Sequence, residues 1–216
     1  MKITRFGHAT LLVETGNARC LVDPGVYSTE WHDLRDIDAV VITHQHPDHF
    51  DAESLSTLMG NNPGATMRAP SDVVWPPDAP GAAIETIRAG DRFRIGDLGI
   101  ETIGGSHALV HERIPRVENI GLVMGADGEA LLFHPGDDYE TIPPGIDVLA
   151  MPLTAPWARA GTTADFVSAV APALAFPIHD SGASMTGHAT YMRLVSHLIA
   201  PGIELVPIDA LGVLET

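Results

Sequence analysis

The sequence predicts an α/β protein in which two β-sheets pack together and helices cover their outer faces. Short apolar runs rich in β-branched residues, separated by glycine, proline and asparagine, dominate the first part of the chain. A helical pattern after Asp51 interrupts these runs, and further strand-like runs follow it. From about residue 147 onward, strands and helices alternate. This order of elements is the basis for placing the helices outside two sheets.

Local signals define the elements in turn. Gly16-Asn17 predicts a tight turn between two strands, and Asp23-Pro24-Gly25 ends the next one. Asp51 is the expected N-cap of the first helix and Thr162 that of the second, while the third helix is amphipathic. The predicted strands span residues 3–6, 10–14, 19–23, 37–43, 65–69, 83–87, 91–95, 98–103, 121–124, 130–134, 147–151, 173–178 and 204–206. The predicted helices span residues 51–59, 162–171 and 186–200.

The length of 216 residues suffices for one full hydrophobic core or for two small ones. With 45% hydrophobic and 19% charged residues, the composition is that of an ordinary globular chain. The proline-rich stretch from Trp75 to Gly81 is short and has strand signals on both sides, so it predicts a rigid loop rather than a domain linker. We therefore expect residues 1–216 to form a single domain.

The formal net charge of −16 disfavours a nucleic-acid surface, which requires a basic stripe, and also disfavours binding to anionic membranes. A small-molecule substrate is the expected partner, and homo-oligomerisation is left open. No apolar run reaches the length of a membrane span, and the first residues lack the hydrophobic region of a signal peptide. The single cysteine, Cys20, lies in an apolar run, which predicts a buried thiol and fits a reducing cytoplasm.

One histidine-rich stretch carries most of the chemical information. Residues 44–49 read His-Gln-His-Pro-Asp-His, which is four metal-ligating side chains in six positions between a predicted buried strand and a helix. In an extended loop His44 and His46 share a face and can bind one ion, while Asp48 and His49 turn toward a second. The alternative is a polar loop that is rich in histidine by chance. It is disfavoured because clustered imidazoles bring no packing benefit, whereas imidazole is the commonest metal ligand.

Four ligands do not complete two metal sites, so further ligands are expected at other strand ends. His107 follows Gly104-Gly105, Asp137 follows Pro135-Gly136, and His179 comes shortly after Pro177. Each of the three candidates comes just after an apolar run, which is the context of the histidine-rich loop itself.

The order of these ligands along the chain resembles the metallo-β-lactamase superfamily. The segments Phe6–Thr10, Leu21–Gly25, His134–Asp137 and Met151–Leu153 are similar to its branch of ascorbate-6-phosphate lactonase-like and related metal-dependent hydrolases. The resemblance covers nearly the whole chain. It implies a four-layer αββα sandwich of two mixed β-sheets, with a dinuclear metal site at one edge. It further implies that the first ion is held by His44, His46 and His107, that the second is held by Asp48, His49 and His179, and that Asp137 bridges both.

The implied chemistry is hydrolysis. Two ions about 3.5–4 Å apart share a hydroxide, because the pKa of a bound water falls to roughly 7. Zinc is the first expectation, with manganese or iron as alternatives, since mixed His/Asp ligation suits all three metals. Asp48 and Asp137 are the candidate catalytic residues, and the resemblance suggests that Asp48 orients the nucleophile. Two divalent ions opposed by these carboxylates and a hydroxide leave a local charge of about +1, so an acidic protein can still bind an anion here.

Residues near the ligands fall into two groups. Asp23, His8 and Asp138 are expected to support the ligands; His8 is equally well explained as a packing histidine, and Asp138 as a residue that contacts substrate. His111, Arg113 and Arg116 follow His107 in a chain that has only 12 lysines and arginines. Our hypothesis is that their loop holds an anionic group of the substrate, and the alternative is a solvated connection.

The sequence therefore predicts an enzyme, a dinuclear metal-dependent hydrolase that cleaves a small, anionic ester, lactone or phosphodiester. The alternatives are a nuclease of the same superfamily, which the acidity of the chain disfavours, and a non-catalytic protein that binds a metal or ligand. A serine hydrolase is disfavoured because there is no G-x-S-x-G motif. The chain also has no P-loop and no dinucleotide-binding fingerprint.

Overall fold

The computed structural model describes residues 1–75, 84–208 and 212–216, which form two β-sheets and three helices. The strands are β1 Lys2–Gly7, β2 Thr10–Thr15, β3 Ala18–Val22, β4 Ala39–Val41, β5 Thr66–Ala69, β6 Ile84–Thr86, β7 Arg92–Ile95, β8 Leu98–Gly104, β9 Ile120–Gly125, β10 Leu132–His134, β11 Val148–Pro152, β12 Leu174–Ile178, β13 Glu204–Leu205 and β14 Gly212–Glu215. The helices are α1 Ala52–Asn61, α2 Ala160–Val170 and α3 Met185–Leu198.

Both sheets are mixed and have the same plan. The first has the strand order β14-β1-β2-β3-β4-β5-β6, antiparallel up to β3 and parallel from β3 to β6. The second has the order β13-β12-β11-β10-β9-β8-β7, antiparallel from β7 to β10 and parallel from β10 to β13. The carboxyl ends of parallel strands in both sheets therefore provide loops for a site, as in other α/β proteins.

The layers follow from the burial pattern. One apolar cluster lies between the sheets and includes Leu11, Val41, Leu122 and Phe176. Helix α1 packs on the outer face of the first sheet in a second cluster, and α2 and α3 contact the outer face of the second sheet in a third. This arrangement confirms the prediction of two mixed sheets flanked by helices.

Most predicted elements are present with shifted ends. Asp51 caps α1 by accepting a hydrogen bond from the Ser54 N–H at 3.2 Å, as expected. The predicted start of α2 at Thr162 is wrong, because the helix begins at Ala160. The Thr162 hydroxyl lies inside the first turn and accepts from the Arg159 N–H at 3.0 Å.

Two differences concern the ends of the first sheet. Strand β14 was missed, and it pairs antiparallel with β1 at the edge of the sheet. Of the predicted loop from Trp75 to Gly81, only Trp75 is among the described residues. The first residue of the predicted strand 83–87 also lies outside them.

Cys20 is fully buried in the core between the sheets, as expected, and burial raises the pKa of its thiol to about 12. None of the helices in the described chain has both the length and the apolar character needed to cross a bilayer.

Candidate metal centre

The histidine-rich loop follows β4 and is held in a compact turn. The N–H groups of His49 and Phe50 both donate to the His46 carbonyl at 2.9 Å, and the Val26 N–H donates to the Pro47 carbonyl at 2.9 Å. Gly25 lies directly beneath the loop, where a Cβ atom would be 1.9 Å from the Asp48 carbonyl oxygen. The Asp23-Pro24-Gly25 segment thus supports the loop because only a residue without a side chain fits there.

One cluster of predicted ligands consists of His44, His46, His107 and Asp137. One ligand atom from each lies within 4.8 Å of all the others. His44 Nε2 is 3.1 Å from His46 Nδ1, and His107 Nε2 is 3.2 Å from Asp137 Oδ2. These four side chains, from three separate parts of the chain, offer nitrogen and oxygen atoms to one point.

A second cluster consists of His8, Asp48, His49 and His179, again within 4.8 Å. Asp48 Oδ2 lies 3.1 Å from His8 Nε2 and 3.4 Å from His179 Nε2. Asp137 reaches this cluster too, since its Oδ1 is 3.2 Å from His49 Nε2 and its Oδ2 is 3.2 Å from His179 Nε2. The Asp137 carboxylate therefore contacts both clusters.

Three of the predicted ligand imidazoles are hydrogen-bonded through the ring nitrogen that faces away from the centre. Nδ1–H donates at 2.7 Å in three cases: from His49 to Asp23 Oδ2, from His107 to the Ala108 carbonyl, and from His179 to the Thr154 carbonyl. When these imidazoles are neutral, the bonds at Nδ1 leave the Nε2 lone pair facing the centre.

Asp23 links several of these groups. Its carboxylate is fully buried and also accepts from the backbone N–H and the hydroxyl of Thr43, both at 2.7 Å.

Three residues at the centre adopt positive φ angles: Asp23 at 45°, His8 at 47° and His179 at 52°. Such strain in residues other than glycine persists only where surrounding contacts impose it, and it is frequent at functional sites.

Asn119 was missed by the sequence analysis. It is fully buried, its Oδ1 accepts from the Asp137 N–H at 2.9 Å, and its Nδ2 donates to the Pro135 carbonyl at 2.9 Å. Gly136, with φ of 60°, leaves room for this amide, because a Cβ atom there would lie 2.3 Å from Asn119 Oδ1. A single asparagine before a strand has no local signal that distinguishes it from a turn residue.

The centre contains buried charge. Burial lowers the pKa of His44 well below its usual value, which favours a neutral imidazole. Burial also opposes charge on His49, but the carboxylates of Asp137 and Asp23 outweigh it and raise the pKa to about 10. Despite its burial, Asp137 has a pKa well below the usual range because His49 and His179 stabilise the carboxylate.

Three buried atoms at this point lack a hydrogen-bond partner in the described chain: His49 Nε2, His107 Nε2 and Asp137 Oδ1. All three are predicted ligand atoms. Buried polar atoms are rarely left unpaired, because doing so costs about 1–3 kcal/mol each. A set of imidazole nitrogens and carboxylate oxygens with unpaired atoms aimed at one another fits divalent metal ions.

A cavity of about 520 Å³ opens beside the second cluster, and His8, Asp48 and His179 form part of its wall. Trp157 also lies next to the centre, and its Nε1–H donates to Asp137 Oδ2 at 3.3 Å. Its ring centroid is 6.1 Å from the rings of both His107 and His179. Substrate-sized space is thus present at the second cluster.

The remaining predicted residues lie further out. Asp138 is buried, and its carboxylate accepts from the backbone N–H groups of Glu140 at 2.7 Å and Thr141 at 3.2 Å. Arg116 donates to the His107 carbonyl and contacts Glu140 at 3.3 Å. His111 and Arg113 are exposed, and neither they nor Arg116 are among the described residues that line the cavity.

Comparison with known proteins places this chain in a family. The model of the β-lactamase superfamily domain matches residues 2–179. The chain belongs to the β-lactamase superfamily. Within it, Protein Rv0786c of Mycobacterium tuberculosis is 36% identical over 208 residues, which cover 96% of this chain and 97% of that protein.

A further relative is a UPF0173 metal-dependent hydrolase of Rhizobium etli, 28% identical over 158 residues that cover 63% of each protein. The metallo-β-lactamase fold protein YhfI from Bacillus subtilis superposes with a TM-score of 0.74 at 15% identity, covering 99% of both chains. These similarities confirm the predicted superfamily and fold, and the hydrolase relatives confirm the predicted class of metal-dependent hydrolase.

Proposed function

We propose that the protein is a dinuclear metal-dependent hydrolase that cleaves a small ester, lactone or phosphodiester. The observation that carries the proposal is the convergence of unpaired, buried ligand atoms from His49, His107 and Asp137 next to a cavity. A purely structural zinc site would be closed and usually rich in cysteine, whereas this one has no cysteine among its described residues and adjoins a cavity.

In this proposal His44, His46 and His107 hold one ion, Asp48, His49 and His179 hold the other, and Asp137 contacts both. When bound, the two divalent ions supply Lewis-acid polarisation of the scissile bond and a water of lowered pKa. Zinc suits this donor set best, and manganese or iron are alternatives.

The protein side chains have separate roles. Asp48 lines the cavity and is positioned to orient the attacking water and to accept its proton. His8 donates to Asp48 at 3.1 Å and so fixes the direction of that carboxylate. Asp23 keeps the His49 imidazole in its orientation, and Trp157 does the same for the Asp137 carboxylate. Asp138 holds the turn that follows Asp137.

The substrate of the proposed hydrolase could be anionic or uncharged outside its scissile group. An anionic substrate was expected from the sequence, with His111, Arg113 and Arg116 as its binding loop, and the positive charge of the ions supports it. The composition of the cavity wall favours instead a substrate that is uncharged outside its scissile group. We place the enzyme in the cytoplasm, since a single buried cysteine fits a reducing compartment.

The test is hydrolysis by purified protein of 4-nitrophenyl acetate, bis(4-nitrophenyl) phosphate and a γ-lactone, before and after treatment with a chelator. We expect turnover of at least one substrate, its loss on chelation, and its recovery with zinc, manganese or iron. Turnover that a chelator leaves unchanged contradicts the proposal. Tight metal binding without turnover of any substrate indicates the non-catalytic alternative.

Two variants control this experiment. His46→Ala removes a proposed ligand and is expected to abolish metal-dependent turnover. His197→Ala makes the same change on the exposed surface of α3 and is expected to leave turnover unchanged.

A further inference from the structure

We propose that the part of the substrate that fills the cavity at the second cluster is uncharged and largely apolar. The inference rests on the proposed hydrolase function and narrows its substrate class.

The position of the cavity ties its contents to the reaction. His8, Asp48 and His179 belong both to the cavity wall and to the second cluster, so a molecule in the cavity contacts that cluster. The volume of about 520 Å³ falls within the usual range for small-molecule sites, about 300–1,000 Å³. An acyl or alkoxy group of moderate size fits this space.

The rest of the wall is neutral. It consists of Tyr27, Tyr191 and Thr154 together with alanine, proline and glycine residues. No lysine or arginine is present among the described lining residues, and Asp48 is the one carboxylate there. A carboxylate or phosphate that enters such a space gives up part of its hydration shell without gaining a lysine or arginine as a partner, which is unfavourable.

The positive charge of the ions does not remove this difficulty. Asp48 and Asp137 already oppose that charge, and the scissile group of the substrate takes the position nearest to it. An additional anionic group in the cavity would lie beside the Asp48 carboxylate, with no lysine or arginine among the described lining residues to pair with it. The ions therefore attract negative charge on the scissile group itself, and not on the remainder of the substrate.

The arginine next to the cavity is already paired. Arg5 lines a neighbouring cavity of about 410 Å³, where its guanidinium forms an ion pair with Asp180 and donates to the Ile208 carbonyl at 3.0 Å. Arg116, from the loop after His107, is likewise engaged with Glu140. Recruiting either arginine to an anionic substrate would break an existing ion pair.

Aromatic surface at the mouth of the cavity supports an apolar substrate directly. Tyr27 is 58% exposed, and its ring meets the His8 ring edge-on with centroids 5.0 Å apart. Tyr191 contributes a second ring from α3. Covering such rings with an alkyl or aryl group is favourable, whereas a charged group gains little from them.

The experiment compares two esters that share a leaving group and a chain length, 4-nitrophenyl butyrate and mono-4-nitrophenyl succinate. Metal-loaded protein is expected to favour the uncharged butyrate in kcat/KM by at least about tenfold. Tyr27→Lys places a cation at the cavity and should reduce this preference about tenfold, with unchanged metal content. Leu194→Lys adds the same charge on the exposed side of α3 and should leave the preference unchanged.

Binding of non-hydrolysable ethers decides the question even if neither ester is cleaved. Butyl 4-nitrophenyl ether should bind at least about tenfold more tightly than 4-(4-nitrophenoxy)butanoate, measured by calorimetry. Tighter binding of the butanoate, or faster cleavage of the succinate ester that Arg113→Ala abolishes, overturns the inference and restores the anionic version. Absence of turnover with both ions bound contradicts the proposed function, while the ether preference still tests the cavity.

Discussion

His107 lies between two regions, the metal centre and the loop of residues 109–116, which differ in burial and in the hydrogen bonds that hold their side chains. Its side chain belongs to the metal centre, where the imidazoles of His44, His49, His107 and His179 are buried and each is hydrogen-bonded at Nδ1 to a neighbouring group. The eight residues from 109 to 116 that follow it are all exposed. The side chains of the first region are thus held by buried hydrogen bonds, whereas those of the second region are exposed. Substitutions should therefore have large effects in the first region and small ones in the second.

The largest effect is expected at Asp137, the carboxylate that contacts both clusters. Asp137→Asn removes the shared negative charge and should lower kcat/KM by at least about 100-fold. Asp138→Asn is the matched control, because its amide oxygen can keep the 2.7 Å hydrogen bond from the Glu140 N–H and the variant loses only the longer 3.2 Å bond from the Thr141 N–H. Equal losses in both variants would contradict the separate roles assigned to the two aspartates.

Gly25→Ala tests whether the support beneath the histidine-rich loop is rigid. The added Cβ would lie 1.9 Å from the Asp48 carbonyl oxygen, so the loop must shift. We expect a loss of about 1–3 kcal/mol in the free energy of unfolding, together with weaker metal binding. Gly60→Ala lies in α1 with nothing within 4 Å of the new atom and should be neutral or stabilising. Thermal unfolding of both variants measures the difference.

Asp23→Asn tests whether Asp23, which is not a proposed metal ligand, supports the metal centre through His49. The variant keeps the size of the side chain but weakens the bond that orients His49. Metal affinity should fall roughly 10–100-fold, measured by competition with a chromogenic chelator. Asp33→Asn, an exposed aspartate, provides the control. An Asp23→Asn protein with unchanged affinity would show that the buried carboxylate serves packing alone.

The smallest effects are expected in the 109–116 loop. Arg113→Ala should change kcat/KM for an uncharged ester by less than about twofold, as for most surface substitutions. Arg116→Ala should be slightly more harmful, because its guanidinium also holds the backbone of His107. Steady-state kinetics on both variants check this order. A larger KM for an anionic ester in Arg113→Ala would support the substrate-binding role that the sequence suggested.

Local signals in the sequence were sufficient for the fold class and for the sets of candidate ligands. The apolar run before His44, the cap at Asp51 and the glycines near strand ends act through neighbouring residues, so they can be recognised without tertiary structure. The order of the candidate ligands along the chain resembles that of the superfamily. This resemblance then assigned His107, Asp137 and His179 to the same site as the histidine-rich loop.

The features that escaped the sequence analysis depend on residues far apart in the chain. Asn119 holds Asp137 from the start of another strand, and the rings of Tyr27 and Tyr191 meet at one cavity from opposite ends of the sequence. Strand β14 forms only because the edge of β1 is available to it. The start of α2 was misplaced because a threonine in the first turn resembles an N-cap in sequence.

The central claim is that two clusters of side chains hold a pair of ions. Elemental analysis of purified, metal-saturated protein tests it most directly, alongside His46→Ala and His179→Ala, which each damage one cluster. The account predicts about two divalent ions per chain in the unmodified protein and about one in each variant. A single ion in the unmodified protein, or two ions retained in both variants, would contradict it.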